Sequence, residues 1–210
     1  NKTAAKSDAP KELPAENLGG IADDVYLRKR LEPRPGEPLY LHLSDLRMAL
    51  KPYQTDQSLM LLDFGCGGSP YRSLFPNSTY ERADIAGVAD LDYEISTTAD
   101  KPCTIGVEDN RYDFVLSNQV LEHVPDPMRY LTEAYRVLKP GGRLLLTTHG
   151  MFEDHGCPYD FHRWTSDGLQ ADLQTTGFDL SQMTKLTTGP RAAVFLMQQH
   201  RRTSARTRSL

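Results

Sequence analysis

The tightest constraint on this chain is a short apolar run that stops at glycine. Leu59-Met60-Leu61-Leu62-Asp63-Phe64 leads directly into Gly65-Cys66-Gly67-Gly68-Ser69. A run of that length with a glycine boundary reads as a strand buried on both faces of a parallel sheet. The glycines after it let the backbone turn sharply and approach a ligand at the carboxyl edge of that sheet. A dinucleotide fingerprint would require glycine at position 70, where this chain has Pro70, so pyrophosphate binding is disfavoured. Asp84 closes the next strand candidate, Thr79 to Ile85, 19 residues after Gly65. That is close to the spacing at which an acid accepts hydrogen bonds from ribose hydroxyls. Taken alone, the glycine turn is equally compatible with an ordinary tight βα loop.

The same alternation continues downstream. Tyr112 to Ser117, Arg143 to Thr148 and Phe178 to Leu186 are further strand candidates. Leu39, Leu43, Leu46 and Leu50 recur at helical spacing until Pro52. Pro127 to Leu138 places Met128, Leu131, Ala134, Tyr135 and Leu138 on one helical face and ends at Lys139-Pro140-Gly141-Gly142. Thr165 to Thr176 reads as a helix with Thr165 as N-cap and Gly177 as its stop, and Arg191 to His200 reads as another. Strands alternating with helices imply an α/β fold with a doubly wound, mostly parallel sheet and helices on both faces. Residues 1–20 read as a flexible arm, and Arg30 to Pro38, with three prolines, as a connector. The expected division is an arm and lid helix over 1–54, a core over 55–187, and a C-terminal helix with a basic tail over 188–210.

At 210 residues the chain is bounded to one domain with appendages, since domains run to about 100–200 residues. Its 24 Lys and Arg against 28 Asp and Glu give a net charge of −4. Arg201, Arg202, Arg206 and Arg208 fall in the last ten residues, so the body is more acidic than the total suggests. An acidic body argues against nucleic acid as a partner, which needs a clustered positive surface. No run approaches the roughly 18 apolar residues that span a bilayer, and no signal peptide is evident, so a cytoplasmic protein without an integral membrane segment is expected. Cys66, Cys103 and Cys157 include no CxxC pair, which points to reduced thiols rather than disulfides or a thiolate zinc site.

A third motif, Tyr112 to Pro127, turns a buried strand into a short helical segment carrying Glu122 and His123. The series LLDFGCGG, ADI, YDFVLSNQVLEHVPDP and EAYRVLKPGGRLLLTTH, in that order, resembles the class I S-adenosylmethionine-dependent methyltransferases, specifically the type 11 methyltransferase domain. The resemblance covers roughly residues 55–187. It implies a Rossmann-like fold with S-adenosyl-L-methionine as cofactor. Asp63, Gly65 and Gly67 would then form the turn beside its methionine part, Asp84 would bind its ribose, and Asn118 and Gln119 would flank the methionine or the reacting methyl. Ser69 stands at the family's third glycine position, which puts the shape of the loop in question. The adenine-contacting acid stays unassigned between Asp90-Leu91-Asp92-Tyr93-Glu94 and Thr98-Ala99-Asp100. The family core usually ends in a strand hairpin, so the final strand is expected to be missing or to lie beyond Leu210.

Asp154 to Thr165 concentrates two histidines, two aspartates, an arginine and the single tryptophan. This is the candidate acceptor wall. A histidine oriented by a carboxylate is a natural base for removing a hydroxyl proton, which nominates His155, Asp160 and His123 as catalytic. His162, Arg163 and Trp164 are the candidate substrate-binding residues, the arginine for an anionic group and the indole for a flat ring. The alternative is that Arg163 and Trp164 only anchor the following helix. Glu122 and His123 either face the cofactor pocket or serve structure. No HExxH spacing is present, and no metal is expected.

The loop HGCPYDFHRWT is similar to loops in type 11 methyltransferases associated with bacterial glycan assembly, so the expected reaction is methyl transfer to a small-molecule or glycan acceptor, foremost a sugar hydroxyl. Competing readings are a quinone or lipid methyltransferase, a cofactor-binding partner subunit without catalysis, and a nicotinamide dehydrogenase. The oligomeric state is not legible in the sequence.

Overall fold

A computed structural model describes residues 24–157 and 159–207. The arm expected over residues 1–20 lies outside them. Five strands, β1 (Met60–Phe64), β2 (Thr79–Asp84), β3 (Tyr93–Glu94), β4 (Tyr112–Asn118) and β5 (Leu138–Thr147), form one parallel sheet in the order β3-β2-β1-β4-β5. Five helices accompany them: α1 (Asp24–Leu31), α2 (Tyr40–Leu50), α3 (Pro127–Val137), α4 (Ser166–Thr175) and α5 (Pro190–Thr207). The strand order reverses at β1, so the ends of β1 and β4 lie side by side at the switch point where open sheets bind ligands.

Both faces of the sheet are covered, which is why its strands read as continuous apolar runs. Side chains alternate between two cores. Leu62, Phe64 and Val115 join Tyr130, Leu131, Ala134 and Val137 of α3 on one face. Leu61, Phe114 and Leu116 meet Leu43, Leu46 and Leu50 of α2 on the other. Burying each such leucine contributes about 1.5–3 kcal/mol, so α2 belongs to the packed body rather than to a detached arm.

Local chemistry explains the helix boundaries. Asp126 caps α3 by accepting from the Arg129 backbone N–H at 3.1 Å, with Pro127 at the first helical position. Thr165 caps α4 through the Gly168 N–H, also at 3.1 Å. The sequence Lys139-Pro140-Gly141-Gly142 ends α3 but does not leave the sheet. Leu138 pairs with Tyr112 and Arg143 with Phe114, so these residues form a bulge at the start of β5, where Gly141 takes φ +79°.

The structure departs from the sequence-based expectations at three places. Phe178 to Leu186 is not a strand: Phe178 and Leu180 turn onto the core, but the segment makes no ladder with β5. Its apolar residues 180, 183 and 186 recur every third position, which matches neither face of a pleated strand. β3 is only two residues long, too short for any alternation to show. Finally, α1 extends through Arg30 and Leu31 into the expected connector, because the first proline that bars a helix is Pro33. In α5, Ala192, Phe195, Leu196 and Gln199 face inward at helical spacing, and the helix packs on α2. Asp45 of α2, itself buried, accepts from Thr187 Oγ1 at 2.8 Å and Arg191 Nη2 at 2.6 Å.

Candidate functional site

The glycine turn begins where β1 ends. Gly65 and Gly67 have φ of +78° and +48°, and the N–H groups of Gly65 and Cys66 both donate to Ala83 O at the end of β2. A Cβ on Gly65 would lie 2.4 Å from Val120 Cγ1, so glycine is required by space as well as by φ. Asp84 closes the turn from the neighbouring strand: its Oδ2 accepts from Gly67 N–H at 2.6 Å and its Oδ1 from Ile85 N–H at 2.8 Å. Arg82 holds the far side, donating to Gly67 O at 2.7 Å and Ser69 Oγ at 2.9 Å. Asp63 lies below the turn, buried, with Tyr80 Oη donating to it at 2.5 Å. Burial pushes its carboxyl up to about 6. The buried Tyr71 hydroxyl makes no hydrogen bond, with Asn118, Arg30 and Tyr26 around it.

At the end of β4, Asn118 Oδ1 accepts from Thr147 Oγ1 at 2.6 Å, and Gln119, at φ +57°, donates its backbone N–H to Thr147 O at 2.9 Å. The Gln119 side chain reaches His42 Nε2 of α2 at 3.0 Å. The lid helix is thus tied directly to the strand end expected to flank the reacting methyl.

Beyond Gln119 the histidines converge. His42, His149, Phe152 and Phe195 form one ring cluster, with His42 to His149 centroids 5.2 Å apart and His149 to Phe152 at 3.9 Å. Burial holds His42 down to about 4 and His149 to about 2, so both are neutral imidazoles near pH 7. His149 Nε2 stands 3.2 Å from Glu122 Oε1, and His155 stacks edge-on to both His149 and His123, with centroids 5.0 and 4.9 Å apart. Glu122 is fully buried, burial raises its pKa, and its Oε2 accepts from Thr148 Oγ1 at 2.8 Å.

The loop from Met151 to Thr165 covers this cluster. Asp160 takes both guanidinium nitrogens of Arg163 at 2.6 and 2.5 Å and the His155 N–H at 2.8 Å, and the Arg163 hydrogen bonds hold its carboxyl well below the usual range. Arg163 also donates to Phe152 O and Glu153 O. Trp164 donates Nε1–H to Asp172 of α4 at 2.9 Å. His162 Nε2 is buried without a hydrogen bond. A cleft of about 1610 Å³ opens beside β5; His42, Gln119 and His149 line it together with apolar Leu144, Leu146 and Phe178 and charged Arg136, Arg143 and Lys185.

A family profile describing a methyltransferase domain matches residues 37–187, nearly three quarters of the chain. The chain belongs to the methyltransferase domain family. The matched span begins inside the segment before α2, so it takes in α2. A ubiquinone biosynthesis O-methyltransferase of Cereibacter sphaeroides is 38% identical over 109 residues, 44% of this chain and 42% of that protein. The match thus spans about two fifths of the length of the curated relatives. Among solved structures, an S-adenosylmethionine-dependent methyltransferase from Aquifex aeolicus superposes with a TM-score of 0.57 at 16% identity, covering 83% of this chain and 94% of that one. A methyltransferase from Bacillus halodurans gives 0.54 at 22%, covering 66% and 71%. These likenesses establish the Rossmann-like class I methyltransferase fold.

Within this methyltransferase domain, Asp63, Gly65, Gly67 and Asp84 lie together at one turn, with Asn118 and Gln119 at the adjacent strand end. His123 and His155 meet at Glu122. Asp160, Arg163 and Trp164 are engaged with partners inside the loop and α4. Four further residues took no role in the sequence reading. Arg82 clamps the turn and Tyr71 adjoins it; His42 and His149 stand at the cleft. His149 had a local signal, as the polar residue closing the run Leu144-Leu145-Leu146-Thr147-Thr148. His42 had none beyond its place on an amphipathic helix.

Proposed function

We propose that this methyltransferase domain binds S-adenosyl-L-methionine at the β1–β2 edge and transfers its methyl group to a hydroxyl of a small acceptor with an apolar or aromatic body. Two features fit the cofactor: carboxylates Asp63 and Asp84 flank a turn that only glycine can make, and an unpartnered Tyr71 hydroxyl is buried beside it. In this reading Gly65 and Gly67 bring backbone close to the methionine end, Asp84 accepts from the ribose, and Asn118 and Gln119 border the methyl. The cofactor supplies an already activated sulfonium methyl, so the chain's own contribution is alignment and the exclusion of water.

The observation that carries the acceptor is the meeting of Gln119 and His42 at the end of β4, where the rings of His149, Phe152 and Phe195 line the adjoining cleft. An aromatic-lined end of this kind suits the flat ring of a quinol or phenol. His42 gives its Nε2–H to Gln119 Oε1 at 3.0 Å, so Nδ1 is the nitrogen left to take the hydroxyl proton as the oxygen attacks. Its contact with Gln119 couples lid placement to the cofactor side. The names of the curated relatives favour the same acceptor class, and Arg163 and Trp164, expected to take an anionic group and a flat ring of the substrate, are engaged internally.

Calorimetry with S-adenosylhomocysteine tests the cofactor reading, and micromolar binding that Asp84→Ala weakens at least tenfold is expected. Transfer of labelled methyl from S-adenosylmethionine to a panel of catechols, quinols and nucleotide sugars tests the acceptor. Turnover confined to the nucleotide sugars would overturn the apolar-acceptor reading, and absence of S-adenosylhomocysteine binding would overturn the cofactor assignment.

A further inference from the structure

We propose that Glu122, His123 and His155 form a binding site for a zinc-class divalent cation. One ligand atom from each lies within 4.8 Å of the others. The set joins the short helical turn after β4 to the loop after β5, a pairing that no linear spacing announces.

Three observations support a cation rather than a chance meeting of polar groups. Glu122 is fully buried, and its Oε1 makes no hydrogen bond; His149 Nε2, 3.2 Å away, lies outside hydrogen-bonding geometry. A buried carboxylate oxygen left in this way costs free energy unless something positive faces it. Next, the outer nitrogen of each ligand histidine has an acceptor. His123 Nδ1 faces Tyr159 O at 2.6 Å, and His155 Nδ1 faces Glu153 O at 3.2 Å and Asp160 Oδ2 at 3.3 Å. Donating Nδ1–H to those oxygens fixes the tautomer with a bare Nε2, the arrangement that outer partners impose on metal-bound histidine. Finally, Glu122 Oε2 is held by Thr148 Oγ1, which orients the carboxylate so that Oε1 points at His123 Nε2, 4.0 Å away.

Two imidazoles and one carboxylate suit zinc, whose sites with three protein ligands keep a fourth position open, and they suit magnesium poorly, since it prefers oxygen. The His155 side chain is about a third exposed, which gives the ion an entry path. In this light the Arg163–Asp160 pair gains a role. It fixes the loop that carries His155, and so acts as a positioning element for the site. The inference stands or falls independently of methyl transfer.

The test uses the full chain, stripped with chelator and dialysed against Zn²⁺, with metal content measured by elemental analysis. About one equivalent is expected for the wild type, and no retention of Mg²⁺ above background. Co²⁺ loading should give visible absorption bands typical of a four-coordinate site. Glu122→Gln and His155→Ala should each lower zinc retention at least tenfold while S-adenosylhomocysteine affinity stays within about twofold. His155→Ala lies in a half-exposed loop, so it reports even if the buried Glu122 variant misfolds. Less than a tenth of an equivalent in the wild type, or retention unchanged in His155→Ala, would overturn the proposal.

Discussion

Replacing Gly65 with alanine isolates the physical demand at the cofactor turn. The new Cβ would sit 2.4 and 2.5 Å from the two γ-carbons of Val120 and 3.0 Å from its Cβ. Forcing a methyl into packed space costs about 1–3 kcal/mol. The left-handed φ of +78° adds about 1–2 kcal/mol for any residue with a Cβ. Together these come to about 2–5 kcal/mol, a large share of the roughly 5–15 kcal/mol available to a domain. A double-mutant cycle separates the two contributions. Val120→Ala removes both γ-carbons but leaves the φ penalty, so the Gly65→Ala/Val120→Ala protein should recover about 1–2 kcal/mol relative to the sum of the single changes. Urea unfolding of the four proteins measures this, with S-adenosylhomocysteine calorimetry alongside to show whether the turn keeps its shape. If Gly65→Ala lies within 0.5 kcal/mol of wild type by that assay, or the two changes are simply additive, the steric account of this turn is wrong.

Three further outcomes are expected. Asp63 has a folded pKa near 6 against an unfolded value near 3.9, so the native state binds more protons between those values; stability should fall as pH rises through that window and level off above it, by about 2–3 kcal/mol in all. Asp63→Asn should remove that slope, and a difference from wild type in urea midpoint that does not change between pH 4.5 and 7.5 would contradict the assignment. Tyr130→Phe removes the hydroxyl that donates to Phe64 O at 2.7 Å and lies 2.9 Å from Ser117 Oγ, which should cost about 1–2 kcal/mol and leave the helical signal intact; a loss under 0.3 kcal/mol would mean water replaces it. Asp45→Ala unties α5 from α2, so trypsin should cleave after Arg191 several-fold faster with the sheet core still folded, and an unchanged cleavage rate would show that Phe195 packing alone holds the helix.

The sequence by itself determined the elements whose signal is local. A parallel strand buried on both faces must be apolar throughout, so β1 and β4 stand out, and Thr165 and Gly177 mark helix ends because capping is settled within a few residues. The glycine turn and Asp84 were legible for the same reason: their spacing follows from one βα unit. Where the signal is short or not periodic it failed, as at the two-residue β3 and at Phe178 to Leu186, whose apolar residues 180, 183 and 186 follow no strand period. The composition of the site was a tertiary decision. His42 and Gln119 are 77 residues apart in sequence, and they meet because the order β3-β2-β1-β4-β5 brings the ends of β4 and β5 together under α2. That same closure sets His149 and His155 against Glu122 and His123. Which polar residues are available for chemistry depended on which found partners in the folded chain, and pairing across such distances leaves no trace in local spacing.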